Sequence, residues 1–103
     1  GMEENKKSNV ISLDKACLKQ ALRDLASVDM KIRTGALRWL SEEHYLDVIN
    51  RLEINPNNFA KALKNLLTYP PESRKVLVKD MEKLIDKIWF RYYLIRYYLI
   101  DII

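Results

Sequence analysis

The stretch that most constrains the fold is YLDVINRLEINPNNFAKALKNLL, residues 45–67, because two helical patterns meet there at one short break. At the break, Asn55 has a side chain that can cap a helix, and Pro56 suits a first helical position, where no amide hydrogen is needed. This order predicts a helix-turn-helix-like hairpin over residues 45–67.

Helical spacing sorts the hairpin into buried and exposed positions. With Tyr45 opening the first helix, the positions expected inside are those of Val48, Leu52, Ile54, Phe59 and Ala62. Residue types that contact phosphates and base edges face outward on the second helix: Asn57, Asn58, Lys61, Lys64 and Asn65. The helix-turn-helix template prefers a small residue in place of Ile49 and a glycine in place of Glu53. Any αα-hairpin with a capped second helix would show most of this spacing.

The net charge of +4 is concentrated in one window of the chain. Residues 1–55 carry nine basic and nine acidic side chains, and residues 80–103 carry four of each, so the excess lies between Pro56 and Lys79. A basic patch that begins with the second helix of the hairpin favours contact with a phosphate backbone. The residues predicted to bind nucleic acid are therefore Asn57, Asn58, Lys61, Lys64, Arg74 and Lys75. The alternative is a solvated helical face with a chance imbalance of charge.

The rest of the chain predicts an all-α fold of about five helices, because it has only two glycines and three prolines and no alternating β-branched runs. Residues 1–11 are expected to form a flexible arm, with Gly1 as a tag remnant. Residues 12–71 form the predicted helical core, with helices over residues 13–27 and 29–40 before the hairpin and one over 56–68 within it. Ser12 and Ser41 are the expected caps of the first and third helices.

Three single residues could carry chemistry, and each has a more ordinary interpretation. Cys17 borders the apolar stripe of the first helix and is expected to be a small buried side chain rather than a nucleophile. Trp39 is expected to anchor the core. His44 is expected on the surface, because Glu43 and Asp47 beside it would make a poor metal site without a second histidine or cysteine.

The last segment, residues 72–103, is predicted to be one long helix, and its end is unusual. From Ile88 the sequence IWFRYYLIRYYLIDII leaves no polar face on a helix, and a helix of that kind is buried or lies in lipid. Two arginines within so short a stretch make it a poor membrane span. We therefore expect a homodimer through Trp89, Phe90, Tyr92, Tyr93, Tyr97 and Tyr98. An additional core helix and contact with a membrane surface are the alternatives.

The order Ala36-Leu-Arg-Trp-Leu-Ser, an apolar helix and then Leu52-Glu-Ile-Asn-Pro56 resembles a group of small phage- and prophage-encoded helical proteins. The resemblance covers residues 36–67 and rests on Trp39, Leu40, Leu52, Ile54, Pro56 and Leu63. The chain departs from the group at Glu53, where a glycine is usual, and at Ala60, where an arginine is common. The resemblance implies the hairpin and an origin in a mobile element.

The sequence shows no glycine-rich phosphate loop, paired-cysteine metal site or nucleophile–base pair, so we expect a non-enzymatic protein without cofactor or metal. A single cysteine and the lack of a signal sequence favour a cytoplasmic location. The first hypothesis for function is a small regulatory protein that binds double-stranded DNA. The second is a helical adaptor that binds other proteins and whose hairpin only packs.

Overall fold

The computed structural model describes the backbone of residues 2–94 and the side chains of residues 9–88. Within that range the all-α prediction is confirmed. The helices are α1 (Met2–Leu25), α2 (Met30–Trp39), α3 (Glu43–Arg51), α4 (Pro56–Leu67) and α5 (Lys75–Leu94), with a short 3₁₀ helix at Pro71–Ser73 before α5.

The first helix is the centre of the fold, because it packs against α2, α3 and α5. Its apolar stripe includes Leu18, Leu22 and Leu25, each 0% exposed. Burying a leucine side chain completely stabilises a fold by roughly 1.5–3 kcal/mol. The core also contains Ala36 of α2, four residues of the α3 segment (Tyr45, Val48, Ile49 and Leu52), Phe59 and Leu66 of α4, and Val78 and Ile85 of α5.

Cations of α1 meet acids of α5 along the contact between the two helices. The Lys19 ammonium lies 2.9 Å from an Asp86 carboxylate oxygen, and the Arg23 guanidinium lies 2.6 Å from Glu82. The order of these pairs shows that α1 and α5 run antiparallel. The Lys15 ammonium donates to the Asp86 carbonyl at 3.1 Å, and its partial burial lowers the pKa of Lys15 below the ordinary value.

The predicted start of the first helix is wrong. The helix begins at Met2 rather than near Leu13, so Ser12 lies inside α1 instead of capping it. No glycine or proline stands between Met2 and Leu25 to end a helix. Ile11 also continues the apolar stripe and packs against the core, which favours extension of the helix.

The two predicted serine caps fail, whereas Asp29 and Asn55 act as caps. The Asp29 carboxylate accepts the backbone N–H of Lys31 at 2.8 Å and so starts α2. The Ser41 hydroxyl instead donates to the Arg38 carbonyl at 2.7 Å, at the end of α2. Helix α3 therefore starts after Glu42 without a side-chain cap, and the Ser41 prediction is wrong.

The predictions for Cys17, Trp39 and His44 have different outcomes. Cys17 is exposed, so the prediction of a buried cysteine is wrong. It stands one residue before Leu18, so its side chain projects about 100° around the helix from that of Leu18. Trp39 is only half-buried, at the edge of the core, where its ring centroid lies 5.8 Å from that of Tyr45. His44 is exposed, as predicted, and its ring centroid lies 6.0 Å from that of Trp39.

The predicted dimer contact at Trp89, Phe90, Tyr92, Tyr93, Tyr97 and Tyr98 lies outside the side chains that the structure describes. The same holds for the predicted continuation of the last helix from residue 95 to residue 103. Helix α5 itself starts at Lys75, later than the predicted residue 72, because Pro71–Ser73 form the 3₁₀ helix. Among the described residues, no helix combines the length and the apolar character that a membrane crossing requires.

Candidate nucleic-acid interface

The turn between α3 and α4 is a Schellman motif, a helix C-terminus closed by two backbone hydrogen bonds. The N–H of Ile54 donates to the Ile49 carbonyl at 3.1 Å, and the N–H of Glu53 donates to the Asn50 carbonyl at 3.1 Å. Glu53 has a φ of 56°, in the left-handed region that favours glycine. This chain therefore adopts with a glutamate the backbone conformation for which the helix-turn-helix template uses a glycine.

Helix α4 begins as the sequence predicts. The Asn55 side chain accepts the backbone N–H of Asn58 at 3.0 Å, and Pro56 occupies the first helical position. The cap satisfies one of the free amides at the helix start, and the fixed φ of the proline already suits a helix. The turn and the cap together set the direction of α4 relative to α3.

The interior of the hairpin is aromatic and apolar. Tyr45, Val48, Leu52 and Phe59 are buried as predicted, whereas Ile54 and Ala62 are only half-buried. The Tyr45 and Phe59 rings lie 6.1 Å apart between centroids, and burial raises the pKa of the Tyr45 hydroxyl above its ordinary value. Ile49, where the template prefers a small residue, is 0% exposed, so the core accommodates the larger side chain.

The outer face of α4, which we define as Asn57, Asn58, Lys61, Lys64 and Asn65, is exposed at all five positions. At about 100° per residue, Asn57, Lys61 and Lys64 lie on the side of the helix opposite the buried Phe59. Asn58 and Asn65 lie between the lysines and the buried side. The structure therefore places five of the predicted polar positions together on one solvated surface.

Arg74 and Lys75, the remaining predicted contacts, lie beyond the C-terminal end of α4. The Arg74 guanidinium donates to the Leu25 and Tyr69 carbonyls, each at 2.8 Å, and lies 3.5 Å from the Leu67 carbonyl. It thereby joins the C-terminal ends of α1 and α4, where the helix dipole favours a cation. Lys75 is exposed at the start of α5. Arg74 thus has a structural role that the sequence did not predict.

Acidic side chains lie at the other end of the hairpin. Glu42 and Glu43 are exposed at the start of α3, and Asp47 is exposed one turn later. The first helix of a helix-turn-helix crosses the DNA backbone, and carboxylates there would repel phosphates. Apart from Arg51, which is paired with Asp14, the lysines and arginines of the hairpin lie on α4.

The pair of Asp14 and Arg51 fixes the hairpin on α1, and sequence reasoning missed it. Asp14 is 5% exposed, and its two carboxylate oxygens accept from the Arg51 guanidinium at 2.7 and 3.0 Å. This hydrogen bonding raises the pKa of Arg51 above its ordinary value. The only signal in the sequence was an aspartate on the apolar stripe of α1, four residues before Leu18. Nothing in the sequence named its partner.

An apolar groove of about 820 Å³ lies between the hairpin and the middle of α5, with Ile11 of α1 also in its lining. Its hairpin side includes Leu52, Ile54, Phe59 and Ala62. Its α5 side consists of Met81, Leu84, Ile85 and Ile88, of which Leu84 is 64% exposed. Arg51 and Glu53 add one charge of each sign to the lining. The groove and the two lysines of the outer face thus lie on different sides of α4, and Asn58 borders both surfaces.

The described residues contain no group of three or more His, Cys, Asp or Glu side chains that could hold a metal ion. No protein-family model matches the chain, and no curated protein or solved structure matches it. Any functional conclusion therefore rests on the surfaces of the molecule itself.

Proposed function

We propose that this protein binds double-stranded DNA through the outer face of α4. The observation that carries the proposal is the exposure of Asn57, Lys61 and Lys64 on one side of a helix whose start is fixed by the Asn55 cap and the Schellman turn. A rigidly held helix with a polar outer face can enter a major groove without first having to be ordered.

The two residue types on this face would have different tasks. Lys61 and Lys64 would neutralise phosphates and release counterions, which supplies affinity without sequence preference. The amides of Asn57, Asn58 and Asn65 can donate and accept at base edges, as asparagine does with adenine. The regulatory role that we propose, with an origin in a mobile element, rests only on the sequence resemblance of residues 36–67.

The test is fluorescence anisotropy of a labelled duplex titrated with the protein at several salt concentrations. Affinity should fall steeply as salt rises, and Lys61→Ala and Lys64→Ala should each reduce the slope by roughly one counterion. Lys31→Ala is the matched control, because Lys31 is an exposed lysine of α2 and its loss should leave the slope unchanged. Equal effects of all three variants would contradict the proposal, since the binding would then be unspecific attraction to a basic protein.

The apolar groove favours a second candidate function, that of an adaptor for other proteins. Under that function α4 serves only to line the groove, and its outer face is ordinary solvated surface. The two functions are separated by a duplex titration at about 50 mM salt, where a helix with phosphate contacts binds measurably. Absence of binding there would favour the adaptor.

A further inference from the structure

We propose that residues 95–103 of a second copy of this chain occupy the apolar groove between the hairpin and α5. The proposal does not depend on binding of nucleic acid. It assigns a receiving surface to the self-association that the sequence predicts, and that surface lies among the described residues. Its occupant is the segment IRYYLIDII, which follows directly after α5.

The groove needs an apolar occupant. Leu84, on its α5 side, is a large aliphatic side chain left 64% exposed, and it stands beside Met81, Ile85 and Ile88. The groove volume of about 820 Å³ is near the upper end of the roughly 300–1,000 Å³ of small-molecule sites. Its lining is mostly apolar, and its polar members, Arg51, Glu53, Asn55 and Asn58, all lie on the hairpin side. An apolar peptide segment fits this chemistry better.

The position and length of the C-terminal segment match the groove. Met81 to Ile88 spans about 10 Å of helix, and residues 95–103 would span about 13 Å if helical. Two α5 helices that cross antiparallel near residues 91 and 92 would lay residues 95–102 of one copy beside residues 81–88 of the other. One contact then serves both copies, as in a two-fold symmetric dimer.

Charge is compatible with this occupant, and turn chemistry favours a second copy over the same chain folding back. The segment carries Arg96, and the groove presents Glu53 as an opposite charge, whereas Arg51 of the groove is already paired with Asp14. Folding back into the same chain's groove needs a sharp turn after α5. Residues 88–103 contain no glycine, proline or asparagine, the residues that most readily form one.

The direct test cross-links two differently substituted chains that have been mixed. Both carry Cys17→Ser, which removes the only cysteine. One also carries Leu84→Cys and the other Ile100→Cys. A short bis-maleimide should join them into a covalent heterodimer. Replacing Leu84→Cys by Val76→Cys is the matched control, because Val76 is also an exposed residue of α5, 69% exposed, and does not line the groove.

The expected result is several-fold more heterodimer with Leu84→Cys than with Val76→Cys. Equal yields from the two mixtures, or no heterodimer at all, would overturn the proposal. A chain with both Leu84→Cys and Ile100→Cys would then show whether the segment reaches its own groove. If it does, the cross-link forms within one chain, and the product stays monomeric.

Sedimentation equilibrium gives an independent readout on the intact chain. The unsubstituted protein and Val76→Arg should be dimers, whereas Leu84→Arg should be a monomer with an unchanged helical circular dichroism spectrum. The substitution is tolerable for the fold because Leu84 is mostly exposed. A monomeric unsubstituted protein, or a dimer that survives Leu84→Arg, would overturn the proposal. Neither result affects the duplex titration, so the two proposals can fail separately.

Discussion

The two ends of α4 are held in different ways. At its start, the Asn55 side chain caps an amide three residues ahead, and the preceding turn is closed by hydrogen bonds within residues 49–54. At its end, Arg74 reaches back 49 residues to the Leu25 carbonyl and also holds the Tyr69 carbonyl. The start is therefore fixed by neighbours in sequence alone, whereas the end, beside local hydrogen bonds of Thr68 and Tyr69, has a contact that only the folded chain creates.

This difference explains which parts of the hairpin the sequence could predict. A cap and a turn depend on residue types at fixed short spacings, so Asn55-Pro56 was sufficient to place the start of α4. A guanidinium that binds carbonyls of two helices depends on how those helices pack. Arg74 therefore looked like one more cation of a basic window, although most of its donors serve the fold.

The largest expected effect is at the distant contact. Arg74→Ala should lower the free energy of unfolding by about 2 kcal/mol, because the hydrogen bonds of a charged group to the Leu25 and Tyr69 carbonyls are lost, the first of them partly buried. Urea denaturation followed by circular dichroism measures it. Lys75→Ala, at the exposed neighbouring position, should change stability by less than about 0.5 kcal/mol. Equal losses for the two variants would show that Arg74 does not hold the end of α4.

A smaller effect is expected at the local cap. Asn55→Ala should cost about 1 kcal/mol, since an amide of α4 loses its partner and must rely on water. Asn57→Ala is the control from the same turn, because Asn57 is exposed and does not cap the helix. The same denaturation assay compares the two variants. Equal free energies of unfolding for Asn55→Ala and Asn57→Ala would show that the cap does not stabilise the helix.

The smallest effect is a gain at Glu53. Glycine adopts a φ of 56° without the steric cost that a side chain incurs, so Glu53→Gly should raise the free energy of unfolding by about 0.5 kcal/mol. Glu53→Val should lower it, because a β-branched residue is disfavoured in the left-handed region. A loss of stability in Glu53→Gly would show that the glutamate side chain contributes more than its conformation costs.

Beyond α4, prediction succeeded where helical spacing decided the outcome. Most buried and exposed positions of the hairpin follow from it, but Ile54 and Ala62 are half-buried, and Leu46, which was expected to be buried, is 52% exposed. It failed where a residue's role depended on a distant partner or on its exact angle around a helix. Asp14 was missed because its partner Arg51 lies on another helix, and Cys17 was misplaced because it stands one position off the stripe.

The central claim is that the outer face of α4 meets nucleic acid while the groove on its other side does not. Backbone amide chemical shifts, recorded during titration of the protein with a short duplex at low salt, test it most directly. We predict shift changes at Asn57, Lys61 and Lys64 that saturate with added duplex, and little change at Met81 and Leu84. Changes centred on the groove residues, with those three amides of α4 unmoved, would contradict the claim.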